Sequence, residues 1–126
     1  MNKIYNGTPH TIDVVENSFY DYSIRKYIGG QKKFSIPVTG ILNAAIQTVE
    51  LPPMDSDGND IPVYFKSIKG IDRLPEGYDV YIVSAIFANA ARQAGYDMTK
   101  IFTVADPVYS DDGRTILGCR GICPVY

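Results

Sequence analysis

Arg114 and Arg120 flank the last extended run of this 126-residue chain. A guanidinium grips phosphate oxygens with two parallel N–H bonds, so two of them suit a pyrophosphate-bearing ligand. Both numbers are even, so in a regular strand the two side chains share one face, about 20 Å apart. One small ligand reaches both only if Gly118 and Gly121 bend the strand, or if a second subunit supplies one of them. Arg114, beside Asp111 and Asp112, reads equally well as a surface ion pair of little energetic worth. Phe87 follows a strand end, Val83-Ser84, and is either a core residue or a flat platform for a base. Asn89, Arg92 and Gln93 fall at i, i+3 and i+4 and share one polar helix face, which is a solvated face unless a ligand lies on it.

Other chemistries are thinly supplied. His10 is the lone histidine, and it stands in a turn far along the chain from Ser84, Cys119 and Cys123. Zinc takes four ligands and Cys-x3-Cys is not finger spacing, so the two cysteines read as small apolar groups and no metal is expected. Asp106, Asp111 and Asp112 are carboxylates of the kind that bond turn backbones. The Met54–Asp60 run has the Asp-x-Asp spacing of a calcium loop but lacks its closing glutamate, so it reads as an acidic turn. Twelve Lys and Arg against 14 Asp and Glu give a net charge of -2. That argues against a long nucleic-acid partner, which calls for a basic excess, but a small phosphate ligand needs only two or three cations. No apolar run approaches the roughly 20 residues that cross a membrane, and the first residues have no apolar signal core. The expectation is a soluble, unprocessed protein of a reducing cytosol. Ten Tyr and five Phe without Trp supply amphipathic rings suited to interfaces and stacking.

The elements that position these groups read as one domain, residues 1–126, of α+β class: a mixed β-sheet with few helices. Thr11–Val15 is β-branched, Phe19–Ile28 is a Tyr- and Ile-rich extended run ending at Gly29-Gly30, and Lys33–Thr39 with Pro37 reads as an edge strand. Ile41–Leu51 is ambiguous between helix and strand and is stopped by Pro52-Pro53, and Ile61–Ile68 is a further strand. Tyr78–Val83 has the profile of a buried strand. Ser84 caps a helix over Ala85–Ala94 that closes at Gly95, and Lys100–Val104 resumes extended structure. Strand, helix and strand make a right-handed βαβ unit. Asp112-Gly113 then predicts a hairpin.

The runs YDVYIVSAIFANAARQAG and TVADPVYSDDGRTILGCRG, with the opening IYNGTPH, resemble phage-encoded Thoeris anti-defence proteins of the first type. The resemblance extends over most of the chain and is weakest from Gln31 to Asp60. It implies a sponge and not an enzyme: a protein of the infected bacterial host's cytoplasm that binds cyclic ADP-ribose isomers made by TIR-domain enzymes, holds them intact and keeps the defence effector silent. It also implies dimers that can assemble into hexamers, no cofactor, and in some members a separate site for cyclic di- or trinucleotides. By the same resemblance Phe87 stacks on adenine, Arg114 and Arg120 clamp the phosphates, and Asn89 and Tyr96 contact ribose and base. The alternatives are an enzyme that degrades a cyclic nucleotide through Asp106, Asp111 or His10, and a phage structural or assembly protein whose tyrosines make protein contacts.

Overall fold

Ten strands and one helix form in residues 1–125, which the computed structural model describes. In chain order they are β1 (Ile4–Asn6), β2 (Ile12–Glu16), β3 (Phe19–Asp21), β4 (Lys26–Ile28), β5 (Gln31–Ile36), β6 (Ala44–Ser56), β7 (Asn59–Ile71), β8 (Val80–Ile82), α1 (Ala85–Gln93), β9 (Ile101–Tyr109) and β10 (Ile116–Pro124). This is the expected α+β class, sheet-dominated with a single helix among the described residues. None of these elements is a helix long and apolar enough to cross a membrane.

The core gathers on the β8–α1–β9 unit. β8 pairs in parallel with β9, Tyr81 opposite Ile101 and Ile82 opposite Phe102. The expected cap forms: the Ser84 hydroxyl accepts the Phe87 N–H at 3.1 Å, and Gly95 follows the helix at φ +80°. Because strand side chains alternate, β8 feeds two clusters. Tyr81 and Val83 pack with Phe87, Ala91, Ile101 and Leu42. Val80 and Ile82 pack with Ile12 and Cys119.

The main sheet runs β1-β8-β9-β10-β2-β5. β9 and β10 form the hairpin that Asp112-Gly113 predicts. β10 then pairs in parallel with β2, so β2 and β5 join the body through its last strand. Gly118 makes that approach possible, since a Cβ there would lie 2.3 Å from the Asp13 carbonyl oxygen. β5 ends the order as an edge strand, as expected, but it spans Gln31–Ile36 and stops before Pro37 instead of containing it. At the other end Asn6 is fully buried. Its amide donates to the carbonyls of His10 and Ile36 and its Oδ1 accepts from Thr8, so the Asn6–His10 turn is held from inside.

Three expectations need correcting. Pro52-Pro53 does not stop the segment before it: β6 runs on to Ser56, and the register against β7 shifts between Leu51 and Met54. The prolines thus occupy an irregularity in a two-stranded ribbon, where missing ladder donors are tolerated. Phe19–Ile28 is not one run but the β3–β4 hairpin. Arg114 and Arg120 do not share a regular strand, because Arg114 precedes β10 in the turn and a register shift lies between Ile116 and Gly118.

Candidate functional site

β9 has one edge along β10, so its other edge serves two partners in succession. β8 lies against Ile101 and Phe102, and β4 lies in parallel against Val108 and Tyr109. Among the described residues no strand pairs with positions 103–107 on that edge. The gap holds Asp106, whose φ of +35° is left-handed and sits just before Pro107. A non-glycine residue held there costs on the order of 1–3 kcal/mol, and such residues concentrate at functional sites.

The β3–β4 hairpin carries a set of rings and cations to this gap. A cleft of about 290 Å³ is lined by Tyr20, Arg25, Lys26, Tyr27, Asp106, Pro107 and Tyr109. Arg120 Nη1 lies 3.1 Å from Asp106 Oδ2, and the guanidinium stands 4.2 Å from the centre of the Tyr27 ring. Lys26 Nζ stands 4.4 Å from the Tyr109 ring centre and donates to the Gly113 carbonyl at 2.8 Å, tying the turn that carries Arg114 to β4. Tyr20 meets Tyr27 edge-on at 5.1 Å and Tyr22 at 4.8 Å, leaving the Tyr22 ring 84 % exposed. Arg25 is a second left-handed residue, at φ +56°.

Three cations here face one carboxylate. The Arg120–Asp106 pair is half-exposed on both sides, so it contributes at most about 1 kcal/mol and yields easily to a phosphate. The rings supply flat surfaces for a base. The cleft therefore offers the two things a nucleotide needs, in one place.

The sequence-predicted residues are dispersed over a single chain. Phe87 is 1 % exposed and packed in the core, so within the single chain its ring presents no open face. Asn89 is exposed on α1 and lines a different cleft, of about 480 Å³, with Ile46, Thr48, Lys66, Ile86 and Gln93. The Tyr96 hydroxyl donates to the Asp72 carbonyl at 3.0 Å and its ring rests against the core. Arg114 is exposed in the turn, and its N–H donates to Asp112 at 2.8 Å. Of the five, only Arg120 borders the tyrosine cleft. No family model, curated protein or solved structure matches this chain.

A third cleft, about 510 Å³ and mostly apolar, holds His10 and the helix cap Ser84 with Ile12, Val104, Ile116 and Cys119. Burial pushes the Cys119 thiol up, in keeping with a packing role. Among the described residues no three His, Cys, Asp or Glu side chains gather in a group able to hold a metal ion. Sequence reasoning missed Tyr20, Tyr22, Arg25, Lys26, Tyr27 and Tyr109. The signal was present in the run FYDYSIRKY, where aromatics alternate with polar residues and then with two adjacent cations. What hid it was the hairpin that folds the run back on itself.

Proposed function

We propose that this protein binds a cyclic ADP-ribose isomer, such as glycocyclic ADP-ribose, and sequesters it without cleaving it, so that the Thoeris effector is never activated. The observation that supports this reading is the convergence of Tyr20, Tyr27 and Tyr109 with Arg25, Lys26 and Arg120 beside Asp106. The ligand combines an adenine ring with a pyrophosphate. Rings meet the first requirement and the cations the second.

The magnitudes suffice. Stacking contributes about 1–3 kcal/mol per base. Each charge-assisted bond from a cation adds about 1.5–3 kcal/mol. One stack and three or four such bonds total about 6–15 kcal/mol, and at the upper end, with an association cost of about 4 kcal/mol, they leave roughly -11 kcal/mol, close to the nanomolar range. At about 290 Å³ the cleft sits at the small end for ligand sites, so one chain encloses only part of a dinucleotide-sized ligand. A second copy would complete the enclosure and is the natural place for Arg114 to act.

The test is to mix purified protein with glycocyclic ADP-ribose, remove free ligand, denature the protein by heat and analyse the released material by mass spectrometry. Intact ligand near one per chain is expected, with retention lowered at least about tenfold in Arg120→Ala and in Tyr27→Ala. Retention unchanged in both variants would overturn the site. A cleaved product would mark a degrading enzyme, and an empty protein would end the ligand assignment. The same assay with cyclic di- and trinucleotides tests whether they are held as well.

A further inference from the structure

The chain sets Asn or Asp before Gly at three places: Asn6-Gly7, Asp57-Gly58 and Asp112-Gly113. Such a pair can attack itself, because glycine has no side chain to keep its amide nitrogen from the neighbouring side-chain carbonyl carbon. The outcome depends on whether the fold has already committed both groups to hydrogen bonds. At Asn6 it has. Its Oδ1 accepts from the Thr8 N–H at 3.0 Å, its amide donates to the His10 and Ile36 carbonyls, and the Gly7 N–H donates to the Ile82 carbonyl at 2.8 Å. Full burial also keeps this pair from the water that the reaction consumes.

Asp112 is held as well. Its carboxylate accepts from the Ser110 hydroxyl and from the N–H groups of Arg114 and Thr115, and the Gly113 N–H donates to the Ser110 carbonyl at 2.8 Å. Those bonds keep the carboxyl ionised, and a carboxylate is a poor target for a nucleophile. Asp57 has none of this protection. It lies exposed at the tip of the β6–β7 arm. Asp57 at φ +52° and Gly58 at φ +81° are the two left-handed residues of a turn closed by Ser56 opposite Asn59. Among the described residues the Asp57 carboxyl has no hydrogen-bond or ion-pair partner and the Gly58 N–H has no backbone acceptor. Nothing lies within 4 Å of where a Gly58 side chain would start.

We infer that Asp57 is a site of spontaneous backbone isomerisation, while the fold shields Asn6 and Asp112 from the same chemistry. The Gly58 nitrogen attacks Cγ of the protonated Asp57 carboxyl. A C–N bond forms, a C–O bond breaks, and the oxygen leaves as water, taking the amide proton and the acid's own proton. The product is a cyclic succinimide. Water then adds to either ring carbonyl. Opening on one side restores Asp57, and opening on the other leaves isoaspartate, with the main chain rerouted through Cβ and Cγ and no net change in atoms. The rerouted turn carries one extra backbone carbon where the hairpin fits two residues, so the Ser56–Asn59 closure is lost. The inference stands apart from the ligand reading.

Prolonged warm incubation of the full chain in heavy-oxygen water, followed by peptide mapping with electron-based fragmentation, tests it. Each ring opening leaves one heavy oxygen, and the fragments tell isoaspartate from aspartate. Breaking even one protecting hydrogen bond before attack slows a site about tenfold, so label is expected at Asp57 at least about tenfold faster than at Asp112 or Asn6. In urea those bonds are gone, and Asp112 should rise to the rate of Asp57. Asp57→Glu, whose longer side chain closes a ring poorly, should leave the tip unlabelled. Equal rates at Asp57 and Asp112 in the folded chain would overturn the inference, as would a folded tip that stays unlabelled while the unfolded chain labels there. A difference between the two sites that persists in urea would place its cause in the neighbouring sequence and overturn the structural account.

Discussion

The β8–α1–β9 unit and the β6–β7 arm draw on the same β-branched and aromatic residues and hold their shape in different ways. All three residues of β8 are buried, because a helix covers one side and a second cluster the other. In β6, twelve of 13 residues are exposed, and in β7 nine of 13. The body is a layered core that excludes water by itself. The arm is a long ladder of backbone bonds with nothing across its outer face. Composition does not distinguish the two. Layering does.

The comparison breaks most visibly at Ile101, which is fully buried. Ile101→Ala should cost about 2–5 kcal/mol in denaturant unfolding, while Phe65→Ala in the arm should stay within about 0.5 kcal/mol under conditions where the chain is monomeric. Equal losses would mean that the arm is part of the same cooperative core. A smaller effect is expected at the helix cap. Ser84→Ala leaves the Phe87 N–H without its acceptor and should lower the melting stability by about 1 kcal/mol, and no change would mean that packing alone fixes the helix start.

The smallest effect lies in the turn at Arg114. The Ser110 hydroxyl, and then the backbone N–H groups of Arg114 and Thr115, hold the Asp112 carboxyl below the usual carboxylate range. A folded value below the unfolded one gives stability that is fully present above an ordinary carboxylate pKa of about 3.9 and is lost as the pH falls through the folded value. The amide protection factors of Arg114 and Thr115, corrected for the intrinsic pH dependence of exchange, should fall only on that acid side, and Asp112→Asn should remove the dependence. A turn that loosens near neutral pH would contradict this assignment.

Much of the body was legible in the sequence because its signals are local. The Ser84 cap, the alanine-rich helix, the Gly95 stop and the Asp-Gly hairpin each act within a few residues, and each is found where expected. The arm was less legible, since Pro52-Pro53 reads as a stop on any local rule and only the pairing partner shows that β6 passes through it. The site was least legible. Phe87 carries a residue type suited to stacking, but its place in the first helical turn over β8 buries it. Tyr27 and Arg120 come together through the pairing of β4 with β9 and of β9 with β10, a tertiary fact that no spacing along the chain announces.

The position of β10 has a consequence for how the chain assembles as it is made. It lies between β9 and β2, yet it is synthesised after every other strand of the sheet. Until it emerges, β2 and β5 have only each other, and the edge of β9 that will receive β10 stays open. The sheet therefore closes through contacts more than a hundred residues apart, Cys119 against Val14, and contacts that distant along the chain make for slow folding.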